Sequence, residues 1–372
     1  MTRSFLVVAL VAASLNASDL QNVPILAYHE VDPLPERGWA VQTEEFRDEM
    51  DFLAAAGYHV IPIADFYDYL IGKRDSLPSD PVIITVDDGW LCAYTDIGPI
   101  LQKHQFPWSL YVYPAIVGQG THSLNWSQIK ELSDDGVDVE GHTMTHAHLS
   151  HRSHVDLNDS QYVSWLHDEL AGSKSAIEEK TGRPVRFLAY PYGEHDAAIE
   201  QEAAEDGYAA GLTSEVGINT RSTSPLRLKR FPITSDTTLE QFCAGIGAVT
   251  LPLDDLAPAA ESVIKASQRS LSAIVVDKAL LDPKTVGMTV LGVQHGSATY
   301  EPSLGRISYA WKGSLPAGRH RAVVWGNRAD GLRFASVWTF YTSEGEKARY
   351  EVQRKQLLEL PLHHTDTRRP PQ

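Results

Sequence analysis

Val82-Ile83-Ile84-Thr85-Val86-Asp87-Asp88-Gly89 sets the architecture of this chain. Its first part is continuously apolar or β-branched. It reads as a strand buried on both faces, the kind that parallel sheets covered by helices require. Two carboxylates and a glycine end it. Side chains alternate along a strand, but where the strand gives way to a loop, two neighbouring carboxylates can both approach a cavity and take different parts there. Alone, Asp-Asp-Gly is equally a solvated turn.

Similar runs recur on either side. Residues 23–29, 58–61, 109–113, 137–140, 187–190, 210–213 and 226–228 read as further strands. Helical patterns separate them. One opens with Thr43 as its cap and Glu44 and Glu45 in the first turn, where the helix dipole favours acids. Others run from Trp126 to Leu132, through Tyr162, Trp165, Leu166, Leu170 and Ile177, and from Ile199 to Asp206. The alternation predicts an α/β fold over residues 23–250, a distorted (β/α) barrel of seven or eight parallel strands. Beyond it, residues 251–274 read as a linker rich in Pro, Ala and Asp. Residues 275–345 form short β runs punctuated by glycine, a small all-β sandwich of immunoglobulin-like type, with Trp311 and Trp325 as core or glycan-facing residues. Residues 346–372 read as a flexible polar tail.

The chain has 372 residues, 43% of them hydrophobic, which is enough for a sizeable core. Its formal net charge of −16 argues against nucleic acid as a partner, since phosphate binding needs a basic surface. An acidic surface is compatible with a neutral or cationic glycan, and equally with solubility alone. At the N-terminus, Arg3, the apolar run 5–13 and the small residues Ser14, Ala17 and Ser18 read as a signal peptide over residues 1–18. The expected location is periplasmic or extracellular. No later stretch is long and apolar enough to span a bilayer, so an integral membrane protein is not expected. The two cysteines, Cys92 and Cys243, leave pairing open and are too few for a thiolate metal site. Nothing in the sequence sets an oligomeric state.

Chemistry gathers at the strand ends. His142 and His146 follow the strand 137–140. A spacing of four puts both imidazoles on one face of a helical turn, a geometry suited to two ligands of one metal. Residue 143 is Thr, so this is not the Glu-bearing zincin pattern. Two His and one carboxylate can hold a divalent ion, and the remaining carboxylate is then available as a base. Tyr190-Pro191-Tyr192-Gly193 follows the strand 187–190. Its turn can aim backbone N–H groups outward, toward a developing oxyanion. His29 ends the first strand. The carboxyl ends of parallel strands open onto one face, so four reactive strand ends imply one site.

Together these segments resemble the NodB-homology polysaccharide deacetylases, carbohydrate esterase family four. Thr85-Val86-Asp87-Asp88-Gly89 is similar to the first family motif and His142-Thr143-Met144-Thr145-His146 to the second. Tyr190-Pro191-Tyr192-Gly193-Glu194 is similar to the third. With Ala27-Tyr28-His29-Glu30, that form resembles the branch containing poly-β-1,6-N-acetylglucosamine deacetylases. The resemblance covers about residues 23–248. It implies a metal-dependent hydrolase that removes N-acetyl groups from a polysaccharide. Asp87 would be the base, and Asp88, His142 and His146 would hold zinc, with cobalt or nickel as alternatives. The Tyr192 amide would join the oxyanion hole. Family members commonly carry a Leu-x-His late in the domain; none stands at the end of residues 23–248, and in the branch resembled His29 would inherit the part of general acid. The Arg common in the third motif is Ala189 here, and Arg230 is its substitute. An O-acetyl esterase and an inactive carbohydrate-binding protein are the alternative readings.

Overall fold

A computed structural model describes residues 21–150, 154, 156–358 and 360. The expected signal peptide, His151 and residues 361–372 lie outside the described residues. Strands and helices alternate through the N-terminal part: β1 (Ile25–Tyr28), β2 (Glu30–Asp32), β3 (Ala40–Gln42), α1 (Thr43–Ala55), β4 (His59–Val60), α2 (Ile63–Leu70), β5 (Pro81–Val86), α3 (Gly98–His104), β6 (Ser109–Val112), α4 (Trp126–Asp134), β7 (Asp138–Gly141), α5 (Asp159–Thr181), β8 (Phe187–Ala189), α6 (Ala197–Glu205), β9 (Ala210–Leu212), β10 (Phe231–Pro232) and α7 (Leu239–Gly245).

The strands of the main sheet run in the order β10-β1-β5-β6-β7-β8-β9, with β4 added to the start of β5. All of these pairings are parallel. Leu228 bridges Leu212 of β9 shortly before Phe231 pairs with Leu26 of β1. Residues 228–232 thus join the two edges of the sheet, which makes a distorted barrel. The closing strand lies later than the expected 226–228, because Pro225–Arg227 is a single 3₁₀ turn. Every residue of β5 is buried, as a strand covered on both faces must be. Capping boxes at Asn125, Asn158 and Thr238 start α4, α5 and α7. Thr43 does not cap α1 as expected. Gln42 holds the cap position without a side-chain bond, and the buried Thr43 hydroxyl has no hydrogen bond.

Two further four-stranded sheets follow. One joins β11 (Val249–Thr250), β14 (Gly287–Val290), β17 (Arg319–Asn327) and β18 (Arg333–Tyr341). The other joins β12 (Leu253–Ala257), β13 (Ser270–Val275), β15 (Ser297–Glu301) and β16 (Arg306–Ala310). Leu271, Val290, Ile307, Val324 and Phe340 fill the space between them. The expected linker 251–274 is therefore corrected. Most of β12 and β13 falls inside it, because Leu253 pairs with Val275 and Asp254 with Ile274. The tail expected from residue 346 is corrected too, since residues 344–358 form α8 (Glu344–Leu358) against β17 and β18. Trp311 is buried beside Tyr309, and Trp325 packs partly buried on the barrel's own core.

Barrel and sandwich are not loosely strung. Leu291, Val323 and Ala335 belong to the same core as Phe52, Phe242 and Ala248. Arg319 and Arg321 of β17 pair with Glu45 and Asp48 of α1. Arg333 pairs with Asp80 at 2.7 Å and lies over the Tyr58 ring.

Candidate active site

The C-terminal ends of β1, β5, β7 and β8 deliver His29, Asp87 and Asp88, His142 and His146, and Tyr192 to one face. Asp87 and Asp88 are both buried, yet they have different partners. The Asp87 carboxylate receives Arg230 Nη1 at 2.9 and 2.8 Å. Arg230 is itself buried, and its Nε donates to the Thr213 carbonyl at 2.9 Å. Asp88 turns the other way because its backbone is left-handed, with φ 77° followed by Gly89 at 84°. Its Oδ1 lies 3.4 Å from His142 Nε2 and 3.5 Å from His146 Nε2. Trp90 Nε1 donates to Oδ2 at 2.9 Å.

The expected helical turn at 142–146 is absent. Residues 142–146 form an irregular loop, and left-handed φ values of 62° at Thr143 and 59° at His146 fold the two imidazoles together. Their ring centroids are 4.7 Å apart. Left-handed non-glycine residues cost about 1–3 kcal/mol each and persist only where the surroundings fix them. Here Glu169 of α5 does so, accepting from Met144 N at 3.0 Å, Thr145 N at 2.9 Å and Thr145 Oγ1 at 2.7 Å. His142 Nδ1 donates to the Ala189 carbonyl at 2.7 Å, which leaves Nε2 directed at Asp88.

These residues fit a divalent ion. One donor atom from each of Asp88, His142 and His146 lies within 4.8 Å of the other two. Asp88 Oδ1 is buried with no hydrogen bond, a costly arrangement unless a cation meets it. Burial pushes the Asp88 carboxyl up, but contact with His142 and the charges of His146 and His29 outweigh it and hold the carboxyl well below the ordinary range. Burial likewise opposes a charged His142, while Asp88 and Asp87 raise it. Each set of shifts expresses one fact: the pocket concentrates acid against imidazole, and a cation in their midst would relieve both.

Tyr192 sits in the turn Pro191–Gly193 with φ 58°, followed by Gly193 at 71°. A Cβ on Gly193 would come within 2.6 Å of the Ser214 backbone, so that position accepts only glycine without movement. The half-exposed Tyr192 ring meets His146 edge-on at 4.8 Å. His29 is partly buried at the end of β1, near enough for its charge to act on Asp88. Arg37 covers Trp90 and Trp39, and Tyr113 lies 5.1 Å from His146. Sequence reasoning missed Glu169 and Trp90. Glu169 could have been found as an acid on the apolar face of a helix that also carries Leu166 and Leu170. Cys92 and Cys243 are both free thiols.

Residues 74–211 match the family model described as polysaccharide deacetylase. YxkH of Bacillus subtilis is 28% identical over 209 residues, 56% of this chain and 70% of its own length. The poly-β-1,6-N-acetyl-D-glucosamine N-deacetylase of Escherichia coli K12 is 23% identical over 257 residues, and the chain spans 38% of that protein. A crystal structure of a polysaccharide deacetylase from Bacillus cereus superposes with a TM-score of 0.51 and 29% identity, covering 61% of this chain and 69% of the other. Residues 74–211 thus carry a polysaccharide deacetylase domain of the NodB, carbohydrate esterase four, class.

Proposed function

We propose that the protein is a metal-dependent N-deacetylase of poly-N-acetylglucosamine, working outside the cytoplasm. One observation carries the reading: Asp87 and Asp88 are adjacent in sequence but separated in partnership, one on Arg230 and the other on two imidazoles. That division supplies a proton acceptor beside a cation site. Asp88, His142 and His146 would hold the ion, zinc in this reading with cobalt or nickel as alternatives, and it would polarise water and the acetamide carbonyl. Asp87 takes the proton of the attacking water, and Arg230 fixes its orientation. The Tyr192 backbone N–H donates to the oxyanion that develops as the C–O bond forms. His29 gives a proton to the departing nitrogen as the C–N bond breaks. Acetate and a glucosamine unit result.

The substrate assignment draws on the named activity of the Escherichia coli relative and on the Tyr-His and Tyr-Pro-Tyr-Gly-Glu segments. Export draws on the pattern of Arg3 and residues 5–13. Among the described residues, no helix is long and apolar enough to cross a membrane. The test is acetate release from β-1,6- and β-1,4-linked N-acetylglucosamine oligomers by the wild type and Asp87→Asn. Release by the wild type, strongest on the β-1,6 series and lost in the variant, is the expected result. Hydrolysis of O-acetylated glycans alone would replace the reading with an esterase.

A further inference from the structure

His148 and Glu194 have no part in the chemistry above, yet they tie together the two segments that supply it. The loop 142–150 carries two candidate ligands, and the turn 190–194 carries the Tyr192 amide. Glu194 accepts from His148 Nδ1 at 2.8 Å and from Ser150 N at 3.2 Å, so one carboxylate crosslinks loop and turn. The His148 ring also stacks on Tyr192, with centroids 4.0 Å apart and planes 13° from parallel. Tyr192 is thereby packed between His148 and His146. The backbone beneath is pinned as well, since His154 Nε2 donates to the His148 carbonyl at 2.6 Å and the His154 ring packs on Trp165.

We infer that Glu194 and His148 form a positioning clamp, which sets the Tyr192 amide at a fixed place relative to the His142–His146 loop. The backbone at Tyr192 needs such a device. Its φ of 58° is held against the residue's own preference. An oxyanion donor is effective only where it is preorganised, and misplacement by about 1 Å can cost on the order of 100-fold in rate. The side-chain partners of His148 are Tyr192 and Glu194, so it acts through Tyr192. The inference rests on the deacetylase reading for its kinetic test only.

Two measurements test it, both on the full chain. In the first, kcat and KM for N-acetylglucosamine oligomers are determined for His148→Ala, Glu194→Ala and His148→Phe, with metal content measured in parallel. The clamp predicts that both alanine variants lose roughly 10- to 100-fold in kcat, with KM within about twofold and metal content unchanged. His148→Phe, which keeps the stacking, should recover much of the loss. In the second, amide hydrogen exchange across residues 191–194 should accelerate in both alanine variants without any substrate. A raised KM at wild-type kcat would make His148 a glycan contact and overturn the clamp. Unchanged exchange at 191–194 would overturn it as well. Should the wild type release no acetate from any oligomer, the functional reading fails, while the exchange result still decides the clamp.

Discussion

At the scale of single residues, the site depends on neighbours with opposite duties. That Asp87 and Asp88 would take different partners was legible in the sequence, but the backbone conformation that separates them was not. The φ of 77° at Asp88 does it, and no pattern of residue types announces a left-handed aspartate. Arg230 lies far along the chain from Asp87, and only barrel closure brings them together. His29 is the residue whose duty has the sharpest consequence. A departing amine needs a proton and an activated phenolate does not. His29→Ala should therefore slow release of acetate from N-acetylglucosamine oligomers by about 10²–10⁴-fold, while hydrolysis of 4-nitrophenyl acetate falls far less. Equal losses on the two substrates would remove His29 from the proton-donor role.

At the scale of elements, the strands were readable because their apolar runs are continuous, and the long helix because its apolar face repeats. The 142–146 loop was misread as helical because a spacing of four fits a helix by default. The actual conformation comes from Glu169, more than twenty residues away on α5. Glu169→Ala removes that support without touching a ligand. It should weaken zinc binding about 10- to 100-fold, the usual effect of losing a group that orients ligands. Zinc titration by calorimetry checks this, and wild-type affinity would show that the loop holds its shape alone. The seam between β7 and β8 has a different character. Glu140 accepts from Arg186 N and Phe187 N at 2.7 and 2.8 Å, yet burial outweighs both bonds and pushes its carboxyl up to about 8. A raised carboxyl binds more protons folded than unfolded. Its contribution to stability is present at acid pH and is lost as pH rises from about 4.5 to about 8. Glu140→Gln should flatten this part of the profile and melt relatively higher at pH 8 than at pH 5, compared with the wild type. A parallel shift at both pH values would contradict the assignment.

At the scale of the whole molecule, the sequence suggested two bodies joined by a linker, and the structure joins them by a shared core and buried charges. Composition changes near residue 253, but packing does not respect that change. Glu45, read from the sequence as an acid favoured by the helix dipole, lies partly buried between Arg319 and Arg321. Asp48 beside it is pushed up to about 6 by burial against the pull of Arg321 and Arg319. Replacing both arginines, themselves largely buried, by methionine leaves two partly buried acids without these partners. The loss should be about 3–5 kcal/mol, read as a lower urea midpoint for the barrel and sandwich together. An unchanged midpoint, or a separate transition for each part, would mean that the contact is incidental. The central claim, that neighbouring carboxylates divide base from ligand, is tested most directly by the zinc content of purified wild type, Asp87→Asn and Asp88→Asn after equal loading. The account predicts that Asp87→Asn retains the wild-type content although inactive, and that Asp88→Asn loses its zinc. Zinc lost from Asp87→Asn, or kept by Asp88→Asn, would contradict it.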